Sequence, residues 1–456
     1  MKIYMSKLLS IWQSLRSSLW FVPGVLVLLA VALAIGLIEA DARIDNHVFD
    51  TWPRLFGAGA AGARGMLVAV ASSMITVAGV VFSITLVALS LASSQYTSRV
   101  LRNFMNDRTN QTVLGVFVGI FAYCLVVLRT IREGPDIEFV PSLAVLGGVV
   151  LAFIGIGYFI YFIHHVATAI QASHILARIA AETVQRIDDL FPESVGNKDE
   201  YYADPDPSHT DPRRRWHAAP AARTGYIQRV EAESLLAIAR DQKTVIRMEH
   251  SVGEFIIKGM PLASILTADD SSPPSKEVIN RLMEAYAINF QRTTDQDAAY
   301  GIRQIVDVAL KALSSGINDT TTAVMSLDYL TAILVRLCGR GIESPGRFDE
   351  GELRVITRGA TFASMVELAF DQIRPSAGGN VAVLTRLVDA LHTLEAQTQR
   401  PNRRSVLLRQ AHSLEEVIGR TIPASLDREP VEARVKRLLE SLEATEAAIE
   451  AAPAHR

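Results

Sequence analysis

The sequence predicts a membrane α-helical bundle of four transmembrane helices, followed by a cytoplasmic α+β domain in which a small β-rich module precedes a mostly helical domain. Three observations predict it. The chain is 49% hydrophobic, and the excess lies almost wholly before residue 170. Four apolar runs in that half approach the roughly 20 residues that a helix needs to cross a hydrocarbon core. Beyond residue 224, short β-type alternation gives way to repeated helical periodicity.

The elements follow in order. In residues 1–18, Met5, Leu8, Leu9, Trp12 and Leu15 share one helical face, which predicts an amphipathic helix lying on the membrane surface. The bundle with its helical extension is assigned to residues 19–190. Its first run, 20–40, follows Lys2, Lys7 and Arg16 and is longer than a signal-peptide core. Because further runs follow, an anchor is expected. The second run, 65–92, continues as a helical pattern toward Phe104; the third is 113–128; the fourth, 140–163, passes into a polar helix reaching about residue 190. Lys2, Lys7, Arg16, Arg99, Arg102 and Arg108 fall on one side, against Arg43, Arg54, Arg64, Arg129 and Arg132 on the other. That six-to-five bias puts both termini in the cytoplasm.

The second run carries a stripe of small and hydroxyl residues, Ser72, Thr76, Gly79, Ser83, Ser90 and Ser94, spaced at helical steps. Two readings fit. Small residues let helix backbones approach closely, and hydroxyls bond across the contact. The same stripe would also wall a water-filled pore in a homo-oligomer. No acidic or basic side chain sits in the middle of any run, unlike proton-coupled transporters.

Residues 191–224 hold five prolines among mixed charges and are expected to form a flexible linker. The β-rich module is placed at 225–270: strands at 225–230 and 243–248, a short helix at 231–240, then turns at Gly253 and Gly259. The order V-G-x-F-I-x-x-G-x-P-L from Val252 to Leu262 resembles the hammerhead turn of lipoyl and biotinyl modules. No lysine stands at a hairpin tip in a carrier context, so a small barrel or sandwich for docking or sensing is expected. The helical domain is placed at 276–452, with periodic segments marked by Val278 to Phe290, Ile302 to Leu313 and Val324 to Cys338, and others at 353–373, 380–397, 404–422 and 430–451.

One polar motif is concentrated: Gln296, Asp297, Arg303, Gln304, Asp307, Gly316, Asn318, Asp319 and Thr320. As structure, Arg303 and Asp307 pair one turn apart, Gly316 takes a left-handed position ending a helix, and Asn318 or Asp319 caps the next. As function, a helix N-terminus lined by threonine hydroxyls would hold an anion or a small ion or ligand.

The stretches VFSITLVALSLASSQYTSRVLRNFM at 81–105 and TTDQDAAYGIRQIVDVALKALSSGINDTTTA at 293–323, with SLWFVP at 18–23, resemble a bacterial family of predicted membrane proteins known as domain of unknown function 2254. The resemblance runs from about residue 14 to about residue 439. It departs at Ser315 and Thr320, where the family often has proline. It implies a membrane location and a shared fold, and no activity; the location expected for the chain is the bacterial inner membrane.

A net charge of −3 offers no basic surface for nucleic acid. The two cysteines, Cys124 and Cys338, lie in different halves and form no disulfide or zinc pattern. There is no nucleophile elbow, phosphate-binding glycine loop or HExxH. The adjacent His164 and His165, with His174, point in different directions along a helix. No catalytic residue, cofactor or metal is therefore expected. The expected partners are the lipid bilayer, further copies of the chain, and a small ion or ligand. The functions in play are an oligomeric channel or passive transport protein gated by its cytoplasmic domain, a membrane-anchored scaffold or ligand sensor, and a membrane-tethered enzyme.

Overall fold

The computed structural model describes residues 20–43, 59–95, 107–132, 139–169, 171–191, 215–267, 273–342, 345–398 and 400–451, the side chains of 92–95 and 445–451 excepted. The surface helix expected at 1–18, and most of the expected linker, lie outside these residues. The chain divides into two compact units at Ile175/Leu176, inside the helical extension that periodicity alone attaches to the membrane half.

The first unit is a helix bundle. It contains α1 (Phe21–Asp41), α2 (Ala60–Gln95), α3 (Arg108–Thr130) and α4 (Ser142–Ala169). Each is long and apolar enough to cross a membrane. The contacts alternate in direction. Gly115 of α3 lies against Pro23 and Leu26, and Gly119 against Leu26 and Ala30, so α1 and α3 run the same way. Gly148 and Gly155 of α4 lie against Leu67 and Met74 of α2, so those two also run together. Gly148 also meets Tyr123, and Gly155 meets Ile120, so α3 and α4 oppose each other. A Cβ at Gly115 would stand 2.7 Å from Leu26 Cδ1, inside contact distance. Gly115-x-x-x-Gly119 is therefore a groove that admits α1, the small-residue device of helices packing in lipid. Leu67, Phe117, Tyr123, Val127 and Phe162 fill the middle of the bundle.

Polar ties close both ends. Asp41, at the end of α1, accepts the free backbone N–H groups of Leu143 and Ala144 at 3.0 Å each, capping α4 from a different helix. Tyr123 donates to Ala144 O at 2.6 Å, and Arg64 donates to Ile131 O at 3.0 Å. At the opposite end Asp107 caps α3 through Thr109 N and meets His165 Nε2 at 2.8 Å.

The second unit begins in α5 (Ala172–Leu190). Two sheets follow. One has the order β1 (Arg215–Pro220), β5 (Pro261–Thr267), β3 (Val245–Met248), β8 (Glu352–Ile356), β7 (Gly346–Asp349), antiparallel except for the β3/β8 pair. The other has the order β4 (Phe255–Ile256), β2 (Gly225–Val230), β6 (Tyr286–Asn289). Helix α6 (Ala232–Asp241) and α7 (Lys276–Glu284) cover a core of Ile227, Leu235, Ile246, Leu262, Ile265, Leu282 and Val355.

Four expectations change here. The module is not closed within 225–270, because β6, β7 and β8 come from later residues. Residues 215–220, expected as linker, are β1, which pairs along β5 from Arg215↔Thr267 to Pro220↔Pro261. The helix expected to run to Phe290 stops at Glu284, and Tyr286 joins a strand opposite Val230. The helix expected from 353 is a strand there, since Glu350 and Gly351 both have positive φ and form a two-residue hairpin turn between Asp349 and Glu352.

The remainder is helical: α8 (Ala298–Ala312), α9 (Thr320–Cys338), α10 (Phe362–Phe370), α11 (Ile373–Ser376), α12 (Val381–Gln397), α13 (Pro401–Thr421) and α14 (Ser425–Ala451). Helix α9 is also long and apolar enough to cross a membrane, the fifth such helix among the described residues. Its C-terminal carbonyls are held by a fully buried guanidinium. Arg403 donates to Leu337 O, Cys338 O and Arg340 O at 2.9–3.1 Å and lies over the Phe362 ring.

Candidate functional site

Helix α2 has two seams. The buried one is Ala60, Ala63, Leu67, Ala71, Met74, Ala78, Val81 and Ala88. Alanine dominates it, and it faces the chain's own bundle. The other is Gly62, Gly65, Ala69, Ser72, Thr76, Gly79, Ser83, Leu86 and Ser90, alternating steps of three and four, and every member is exposed. The outer seam follows the inner one by two positions at most turns and by one at Ser72 and Gly79, on average roughly 170° around the helix, so the seams lie on opposite sides. The predicted stripe of Ser72, Thr76, Gly79, Ser83 and Ser90 therefore belongs to the outer seam, extended by Gly62, Gly65 and Ala69. The side chain of Ser94 lies outside the described residues.

The outer seam is shallow. A Cβ at Gly65 or Gly79 would meet nothing within 4 Å. Thr76 Oγ1 donates to Ser72 O at 2.8 Å, and Thr85 Oγ1 to Val81 O at 2.8 Å. The Thr76 hydroxyl is thus satisfied within the helix, so at that turn the seam tolerates either an apolar or a watery neighbour, while Thr85 lies off the seam. Close packing inside the bundle is done by Gly115, Gly119, Gly147, Gly148 and Gly155 instead. The spacing Gly115-x-x-x-Gly119 was a readable signal for that contact. The capping role of Asp41 had none, because its partners are a hundred residues away.

The polar motif around α8 separates into two groups. At the start of α8, Gln296 Oε1 accepts from Val230 N at 2.9 Å, tying helix to sheet. Asp297 caps α8 through Tyr300 N at 3.0 Å and pairs with Arg292 at 2.7 Å. Burial pushes the Asp297 carboxyl up, more than Arg292 pulls it down. A Cβ on Gly253 would overlap this carboxylate, so the turn glycine is needed to seat it. Arg303 bridges Asp307 at 2.9 Å and Gln372 at 2.8 Å, while Gln304 is buried in the helical core.

The second group lies past the other end of α8, about 22 Å away for a helix of fifteen residues. Asp319 caps α9 by accepting from Thr322 N at 3.0 Å and Thr322 Oγ1 at 2.6 Å. These bonds hold its carboxyl below the usual value. The left-handed residue is Asn318, at φ 50°, rather than the expected Gly316. Thr320 Oγ1 accepts from Asn380 at 2.7 Å. The α9 N-terminus thus already holds a carboxylate from its own chain, which opposes a second anion. Gln296 and Asp297 do not converge with Asn318, Asp319 and Thr320.

The histidines divide as well. His165 engages Asp107 and stacks on Tyr161 at 6.0 Å, while His164 is exposed. Among the described residues, no group of three or more His, Cys, Asp or Glu side chains is arranged to hold a metal.

Residues 16–393 match the family described as Predicted membrane protein (DUF2254). The chain is 31% identical over 443 residues to Uncharacterized protein Rv1290c of Mycobacterium tuberculosis, covering 95% of this chain and 82% of that protein. It is similar to the same degree to Uncharacterized protein Mb1321c of Mycobacterium bovis. No solved structure matches the chain.

Proposed function

The chain belongs to this family of predicted membrane proteins, and from that premise we propose that it is an oligomeric channel or passive transport protein of the bacterial inner membrane, with a cytoplasmic sensing or gating unit. The observation that carries the reading is the outer seam of α2. Gly65, Ser72, Thr76, Gly79, Ser83 and Ser90 face away from the chain's own bundle, where a lipid-facing helix gains from large apolar side chains. Against α2 of neighbouring copies, the same residues permit close approach, or line a hydroxylated path between them.

Four spans with both termini in the cytoplasm fit this reading. The alternating directions of α1 to α4 suit an even number of crossings. Helix α9 is better read as a core helix of the second unit, because Asp328 pairs with Arg386 and Arg336 with Asp188 at 2.6 Å. Lipid would offer those charges no partners.

A scaffold or ligand sensor without transport is the second reading. It is favoured by the self-satisfied hydroxyl of Thr76, which meets an apolar neighbour at no cost.

Sizing in detergent and recording in planar bilayers test the proposal. We expect an oligomer, and a conductance that Thr76→Leu and Ser83→Leu reduce. A monomer, or a conductance indifferent to both changes, removes the pore. An oligomer that conducts no ion after sound reconstitution supports the scaffold.

A further inference from the structure

The second unit carries a compact apolar and cationic tip at one end of its three-stranded sheet. Strand β2 opens with Gly225 and Tyr226, which pair with Ile256 and Phe255 of β4 on one side, and Tyr226 pairs with Asn289 of β6 on the other. Ile256 turns into the core, so its neighbours Phe255 and Ile257 turn outward. Phe255, Ile257, Met260 and Phe290 are 52%, 56%, 52% and 74% exposed. They are large side chains exposed among the described residues, and they flank the start of β2, Phe255, Ile257 and Met260 on the β4 side and Phe290 just past the end of β6.

The tip is held rigidly. Gly259 N donates to Ala221 O at 2.9 Å, Ala221 N to Met260 O at 2.8 Å, and Lys258 N to Thr224 Oγ1 at 3.0 Å. The loop 257–260 is thereby pinned to the loop 221–224, and Gly259, at φ +89°, makes the turn. Tyr226 supports Phe255 edge-on at 5.1 Å.

Its charge is predominantly positive, the nearest acid being Glu254 beside Phe255, which pairs with His250 at 2.8 Å. The segments 215–230, 255–267 and 285–292 contain no Asp or Glu. At the tip they present Arg223 and Lys258, both exposed. Arg229 and Arg292 lie further back and pair with Glu231 and Asp297. Exposed apolar side chains rimmed by cations, on a rigid loop, match the chemistry of an anionic bilayer surface: the apolar groups enter the acyl boundary while the cations meet lipid headgroups. A protein already anchored in lipid meets that surface at high effective concentration, so weak interfacial affinity is enough to hold the contact.

We propose that this tip, formed by Phe255, Ile257, Met260 and Phe290 with Arg223 and Lys258, docks onto the anionic face of the bilayer. The proposal is independent of whether the protein conducts.

The test uses the full chain in liposomes of phosphatidylcholine with phosphatidylglycerol. A nitroxide is attached at Ile257→Cys or Phe290→Cys, with Leu426→Cys, on the 85% exposed position of α14, as reference. We expect collisions with oxygen to exceed those with an aqueous nickel relaxer at 257 and 290, and the reverse at 426. Lys258→Glu with Arg223→Glu, or liposomes of phosphatidylcholine alone, should return 257 and 290 to aqueous values. Labels at 257 and 290 as water-accessible as that at 426 overturn the proposal. So do labels shielded from both relaxers in detergent and lipid alike, which would mean a protein covers the tip. Retention of the unlabelled protein's elution volume and melting temperature excludes misfolding as the cause of either result.

Discussion

A Cβ placed on Gly301 of α8 would overlap Thr183 Oγ1 of α5, so the two helices meet where glycine alone fits. Gly301→Ala gains helix propensity of about 1 kcal/mol but forces this contact apart, and overpacking of this kind typically costs ~1–3 kcal/mol. The melting temperature should fall. Thr183→Ala in the same chain removes Oγ1 and Cγ2 and should restore part of the loss, leaving a closest contact of 2.9 Å to Cβ. Simple additivity of the two changes would contradict the contact.

The two glycine sets of the membrane half make opposite predictions. Gly115→Leu strikes Leu26 and Pro23 within one chain, so it should lower the thermal stability of the protein in detergent. Gly79→Leu meets nothing within 4 Å in its own chain, so it should leave that stability unchanged while weakening self-association. Melting and sedimentation of both variants separate the cases. Loss of monomer stability in Gly79→Leu would mean the outer seam is not outward.

Arg403 holds three carbonyls around the end of α9 from a fully buried position. Arg403→Met strands those acceptors, and each buried unsatisfied group costs ~1–3 kcal/mol. Lysine cannot reproduce the planar fork over Phe362 and should rescue little. Chemical denaturation of both variants checks this, and a lysine variant as stable as wild type would refute the fork.

Asp319 supplies a pH test. An N-cap carboxylate stabilises a helix by ~1 kcal/mol, so Asp319→Ala should melt lower at neutral pH. Thr322 holds the folded carboxyl below its ordinary value. An unfolded aspartate titrates near ~3.9, so the contribution is fully present above that pH. It is lost as pH falls through the lower folded value. Melting curves of wild type and variant should therefore converge at acid pH. A gap of equal size at neutral pH and well below the folded value would show that Asp319 acts through packing instead.

Much of the fold was legible because local chemistry writes it directly. The apolar runs, the strand at 225–230 and helices α8 and α9 follow from side-chain period, and the start of α9 also from its cap at Asp319. Strands β1 and β8 were missed, because their partners are remote: β1 pairs with β5 some fifty residues on, and β8 lies parallel to β3 a hundred residues earlier. Tyr286 and Phe290 fell on a helical stripe by spacing alone, yet the chain turns at Ala285 and uses Tyr286 to extend a sheet.

The candidate sites show the same division. The sequence by itself determined that α2 carries a small, hydroxyl-rich stripe, since helical periodicity requires only residue order. It could not say which way the stripe faces. That was decided in the tertiary structure, where Gly115, Gly119, Gly148 and Gly155 bring α1, α3 and α4 together and the alanine seam of α2 takes the inner position. It likewise determined that Asn318 or Asp319 would cap a helix, and left open whether Gln296 and Asp297 share a site with them. The fifteen residues of α8 between them keep them apart. Direction and distance are properties of packing between remote segments, and a periodic pattern along one helix contains neither.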